Sequence, residues 1–66
     1  MKLKELLKFI EHNQKIIIQE SRWRELFRGT ARGINLRLFG ERNVRYIICD
    51  NDIYTPEYLK IEVEKE

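Results

Sequence analysis

A single cysteine, Cys49, in a chain of 66 residues leaves the fold without staples. No intrachain disulfide and no multi-thiolate metal site can form, so apolar burial alone must hold the structure. The length fits one domain, residues 1–66, because either half would be too short to enclose a core. Apolar residues make up 42% of the chain and charged residues 36%, enough of the first to collapse and of the second to stay soluble. In so short a chain the gain from burial nearly cancels the cost of ordering. A homo-oligomer, burying further surface against a second copy, is therefore expected.

Apolar spacing divides the chain into elements. Leu3, Leu6, Leu7 and Ile10 recur at i, i+3, i+4 and i+7, with Lys4, Glu5, Lys8 and Glu11 opposite, which predicts an amphipathic helix ended by His12-Asn13. The β-branched run Ile16-Ile17-Ile18 predicts a strand over 15–20. Glu25-Leu26-Phe27-Arg28 is the return strand of a hairpin closed by Gly29-Thr30, although its turn lacks the Asn-Gly or Asp-Gly of a tight hairpin. Ala31, Ile34 and Leu38 predict a short second helix capped by Gly40. A third strand over 44–49 runs into the turn formers Asp50-Asn51-Asp52, and Pro56 limits pairing beyond them. Residues 58–64 alternate, with Leu59, Ile61 and Val63 facing one way and Lys60, Glu62 and Glu64 facing solvent. The expected fold is α+β in the order α-β-β-α-β-β, with about four mainly antiparallel strands and the helices packed on one face.

The charges at helical spacing along the first eight residues leave no continuous apolar stretch for a leader or a membrane span. Together with the lone cysteine they point to a cytoplasmic protein. Catalysis is not expected: His12 and Cys49 are single members of their types, and no nucleophile-base pair or metal-ligand spacing is present. Asp50-Asn51-Asp52 lacks the glycine and the distant glutamate of a calcium loop, so it reads as a turn, and neither metal nor cofactor is expected.

The arginines carry the functional signal. All seven lie between Arg22 and Arg45, where the acids are Glu25 and Glu41. Arginine engages phosphate or carboxylate through a planar fork of donors. Trp23, Phe27, Phe39 and Tyr46 are interleaved with them and offer flat faces for stacking. Arg22, Trp23, Arg24, Arg28, Arg32, Arg37, Arg42, Arg45 and Tyr46 are thus the candidate binding residues. Against this stands a plainer reading, in which Phe27 and Phe39 are core and the arginines pair with Glu25, Glu41 and the acidic ends. Trp23 fits that reading least, since a tryptophan between two arginines in a turn is awkward to bury.

The succession Lys2-Leu3-Lys4-Glu5-Leu6-Leu7, an isoleucine-rich strand, Leu26-Phe27-Arg28-Gly29-Thr30-Ala31, a short arginine-containing helix, Val44-Arg45-Tyr46-Ile47 and Leu59-Lys60-Ile61-Glu62-Val63 resembles the small proteins of unassigned function carried by phages, prophages and other mobile elements of Gram-positive bacteria. That resemblance implies a viral or mobile-element origin and a place in the host cytoplasm, and small early-expressed proteins of that origin often block host defences. Combined with the arginine-aromatic segment, it points to a non-enzymatic inhibitor. Such an inhibitor would sequester a phosphate-bearing signalling nucleotide or block a defence protein such as a CRISPR nuclease. The alternative is a small nucleic-acid-binding regulator, with affinity falling steeply as salt rises.

Overall fold

A computed structural model describes residues 1–48 and 57–65. The chain runs through α1 (Leu3–Leu6), a 3₁₀ turn (Leu7–Phe9), β1 (Lys15–Ser21), β2 (Arg24–Thr30), a second 3₁₀ turn (Ala31–Gly33), α2 (Leu36–Phe39), β3 (Val44–Ile48) and β4 (Leu59–Val63). The fold is α+β, with one four-stranded sheet in the order β2-β1-β4-β3. Both outer pairings are antiparallel, but the central pair, β1 with β4, is parallel. The sheet is therefore mixed, because strands joined through four intervening elements meet at its centre rather than through a hairpin. The turn at Asp50-Asn51-Asp52, the break at Pro56 and the position of Cys49 lie outside the described residues.

One face of the sheet carries the core. Leu3, Leu7, Ile16, Ile18, Ala31, Ile34, Ile61 and Val63 form a buried cluster, against which Leu6, Ile10, Leu26, Phe27, Phe39, Val44 and Leu59 pack. The leucine spacing of the first helical segment is thereby accounted for, although the helix is shorter than expected. It ends at Phe9, and Ile10 is already extended (φ −107°, ψ 136°). No described residue has positive φ, so His12-Asn13 does not supply a left-handed stop. The second helix also breaks in two, a 3₁₀ turn and α2, where Ile34 is extended. Asn35 caps α2 by accepting the Arg37 N–H (3.0 Å). The break takes Leu38 off the core-facing stripe: Ala31 and Ile34 are buried, whereas Leu38 is exposed.

Gly40 closes α2 where expected, but the reason is proximity rather than backbone handedness. A Cβ there would lie 2.5 Å from the Leu36 carbonyl oxygen and 3.3 Å from the Lys4 side chain. That close approach lets the Lys4 N–H donate to the Gly40 carbonyl (3.0 Å) and the Leu3 N–H to the Arg42 carbonyl (2.8 Å), which satisfies the amides at the start of α1. Glu41 adds a polar clasp at the same junction, bridging the ammonium groups of Lys2 (2.6 Å) and Lys4. Hydrogen bonds from the two lysines, with their charges, hold its carboxyl down at about 2. A carboxyl lowered on folding stabilises the fold fully above its ordinary value near 4.5 and loses that effect as pH falls through about 2. Glu41→Gln should therefore melt below the parent protein at neutral pH and low salt. The gap should be small, because the groups are exposed, and should close by about pH 2 or in molar salt. A gap that persists at pH 2 would show that the ionised carboxylate is not its source.

Candidate functional site on the open sheet face

Three bulges decide which side chains reach the uncovered face. Ile18 pairs with Phe27 and Gln19 with Glu25, so Leu26 is an extra residue and Glu25 turns outward. Between Gln19 and Ser21, Glu20 is extra on β1. On β3, Val44 pairs with Val63 and Tyr46 with Glu62, which makes Arg45 the extra residue. Without that bulge Tyr46 would fall opposite Ile61, on the core side; with it, Ile47 takes that place and Tyr46 faces outward. Two rows result across all four strands, Glu25-Gln19-Glu62-Tyr46 and Arg28-Ile17-Lys60-Ile48.

This face is less solvated than the alternation in β4 suggests. Ile17 is buried although it lies outside the main cluster, flanked by Arg28 and Lys60, whose long aliphatic stems suit the role of cover. Glu62, expected in solvent, is only 5% exposed. Its carboxylate accepts from the Gln19 amide (3.2 Å) and lies 3.6 Å from the Arg45 guanidinium. A buried carboxylate needs such partners. Tyr46 is a further one: its hydrogen bond to Glu62, followed by desolvation and the carboxylate's charge, raises the phenol above its ordinary value, against the lowering effect of Arg45 and Arg22. Glu62 thereby fixes Arg45 and Tyr46 side by side.

A groove of about 550 Å³ opens above this cluster, within the range of small-ligand sites. The two-residue turn after β1 forms its far wall, with the Trp23 N–H donating to the Ser21 hydroxyl (3.3 Å). Trp23 is 89% exposed, so it contributes nothing to the core. The groove brings together four of the nine sequence-derived candidates, Arg22, Trp23, Arg45 and Tyr46, and adds Lys60 from β4. Arg22 forms no ion pair among the described residues. Sequence reasoning misses Lys60 and Glu62, which the alternation of residues 58–64 assigns to a solvated face, and Gln19, which follows the isoleucine run of β1 and carries no signal of its own.

The other five candidates lie elsewhere. Arg28 makes a paired contact with Glu25 (2.7 to 3.2 Å) and sits over the Tyr58 ring (5.2 Å), further along the open face. Arg24 is mostly exposed and reaches Glu20 at 3.5 Å. Arg42 is a largely buried strut, with its guanidinium 2.7 Å from the Glu20 carboxylate. That hydrogen bond is the main cause holding the Glu20 carboxyl below its usual range, with the Arg42 and Arg24 charges adding to it. Arg32 and Arg37 belong to the helical side. The plainer reading, in which arginines pair with acids, thus describes Arg24, Arg28, Arg42 and Arg45: Glu25 faces Arg28, Glu62 of the acidic end lies near Arg45, and Glu20 faces the other two, while Glu41 serves lysines.

Among the described residues no group of three or more His, Cys, Asp or Glu side chains is placed to hold a metal. No helix among them is long and apolar enough to cross a membrane. Compared with known proteins, the chain matches no family model, no curated protein and no solved structure.

Proposed function

We propose that the protein is a non-enzymatic binder that takes a phosphate-bearing nucleotide in the open-face groove. In keeping with the resemblance to mobile-element proteins, it would thereby withhold a signalling nucleotide from a host defence system. The observation that carries this reading is the bulge in β3, which sets Arg45 and Tyr46 together opposite Arg22 and Trp23. Trp23 and Tyr46 offer stacking surfaces for a base, and Arg22, Arg45 and Lys60 offer donors for phosphate. Of the two acids lining the groove, Glu62 is matched by Arg45 and Glu20 by Arg42, so Arg22, with no ion pair among the described residues, adds positive charge there.

A second reading, a binder of single-stranded nucleic acid, draws on Tyr58. Its ring lies under Arg28 (5.2 Å) and Lys15 (5.9 Å), repeating the cation-aromatic pattern of Arg45 over Tyr46 (5.8 Å) along the same face. Aromatic faces flanked by cations are the kind of platform on which single-stranded bases stack.

Trp23 is the chain's one tryptophan and lines the groove, so its emission reports directly on occupancy. Titration with a cyclic dinucleotide, ATP and inorganic phosphate should give saturable quenching by nucleotide and none by phosphate. Arg45→Ala should weaken binding about tenfold, as expected for loss of a charged hydrogen bond. Tighter binding of a short single-stranded oligonucleotide, with a steep salt slope, would favour the second reading. No saturable response to any nucleotide at millimolar concentration would overturn both.

A further inference from the structure

The helical side of the molecule carries a separate surface that the groove does not use. A depression of about 490 Å³ lies between the first helical segment and residues 31–36. Its floor is apolar, formed by Leu7, Ala31, Ile34 and Leu36, and its rim is Lys4, Lys8, His12 and Arg32. No acidic residue lines it. Lys4 is drawn toward Glu41, but Lys8 and Arg32 form no ion pair among the described residues. An adjoining hollow shares Lys8 and His12 and adds Phe9, which is 82% exposed, together with Ile10 and Glu11. Phe9 and Leu36 thus line the two hollows of an apolar strip edged mainly by positive charge, Phe9 largely uncovered and Leu36 half-exposed in the folded chain.

We propose that this strip docks an acidic amphipathic helix belonging to a protein partner. Apolar anchors of such a helix, one turn apart, would enter the two hollows, and its carboxylates would meet Lys8, Arg32 and His12. Charge complementarity selects the partner: the depression, with Lys4, Lys8 and Arg32 at its rim and no acidic side chain, orients an acidic segment and repels a basic one, and Glu11 is the one acid lining the adjoining hollow. The recessed floor favours an inserted side chain over a flat lipid surface, which cannot follow a hollow.

The test uses the full chain and a fluorescein-labelled synthetic peptide with leucines at i and i+4 spacing and glutamates elsewhere. A twin with lysine for every glutamate and vesicles of anionic phospholipid are run beside it. The acidic peptide should bind saturably and the lysine twin should not. The double variant Lys8→Glu, Arg32→Glu should weaken binding by at least about tenfold, with an unchanged thermal melt. Leu36→Asp, at a half-exposed site, should weaken it similarly. Trp23→Ala, on the far face, should leave it intact, which separates this surface from the nucleotide groove. Equal binding of both peptides, no effect of the double charge reversal, or binding to vesicles but not to peptide would each overturn the proposal.

Discussion

Ile61→Ala should lower the melting temperature by roughly 10–30 °C and leave little folded protein in reserve. Ile61 is fully buried in β4, with Ile18 opposite it on β1 and Ile47 on β3. Truncating such a residue removes its transfer free energy and leaves a cavity that neighbouring strands, tied by their hydrogen bonds, cannot fill, at a cost of about 2–5 kcal/mol. A domain of this length is stabilised by roughly 3–10 kcal/mol in total, and each kcal/mol moves its midpoint by about 4–8 °C. Ile47→Ala is the control. Ile47 stands in the same row but on the edge strand, 40% exposed, so it should cost far less. Thermal melts followed by circular dichroism decide the matter, and a fall for Ile61→Ala no larger than for Ile47→Ala would contradict the placement of the core.

Trp23→Ala should produce the reverse pattern, a large loss of binding with an unmoved melt. Trp23 sits in the wall of the groove, almost wholly exposed, with its backbone N–H donating to the Ser21 hydroxyl. Loss of a stacking tryptophan should weaken nucleotide binding by about 2 kcal/mol, near thirtyfold. Stability should change by about 0.5 kcal/mol or less, as at other surface sites. Calorimetry must replace fluorescence here, because the variant lacks the reporter. An intact melt with unchanged affinity would place the site elsewhere, and a collapsed melt would make Trp23 structural.

The isoleucine run and the alternation of Leu59, Ile61 and Val63 made β1 and β4 legible, because a buried strand face leaves a period of two in the sequence. The exposure of Trp23 was legible for the complementary reason, since it matched no inward-pointing pattern. What the sequence concealed was register. Nothing in Val44-Arg45-Tyr46 signals that Arg45 is a bulge, yet that one extra residue moves Tyr46 from the core side to the groove. The parallel pairing of β1 with β4 was equally hidden, because strand order is a property of the assembled sheet and not of any window. Glu62 was misread for a related reason: alternation gives the face a residue occupies, while its burial depends on Gln19, Arg45 and Tyr46, which arrive from two other strands.

The place of β4 between β1 and β3 has a bearing on how the chain reaches this state. The register Ile18 to Ile61 and Gln19 to Glu62 joins residues 43 positions apart, so the central ladder closes only after a long loop has lost its freedom. Before that closure a β1–β2 hairpin would keep one bare edge, rich in isoleucine, and a β3–β4 pair would keep the other, on β4. A bare edge of that kind is a ready template for pairing with another chain. Refolding yield should consequently fall as protein concentration rises, and a separate peptide spanning residues 57–65, added in excess during refolding, should compete for the bare edge of β1.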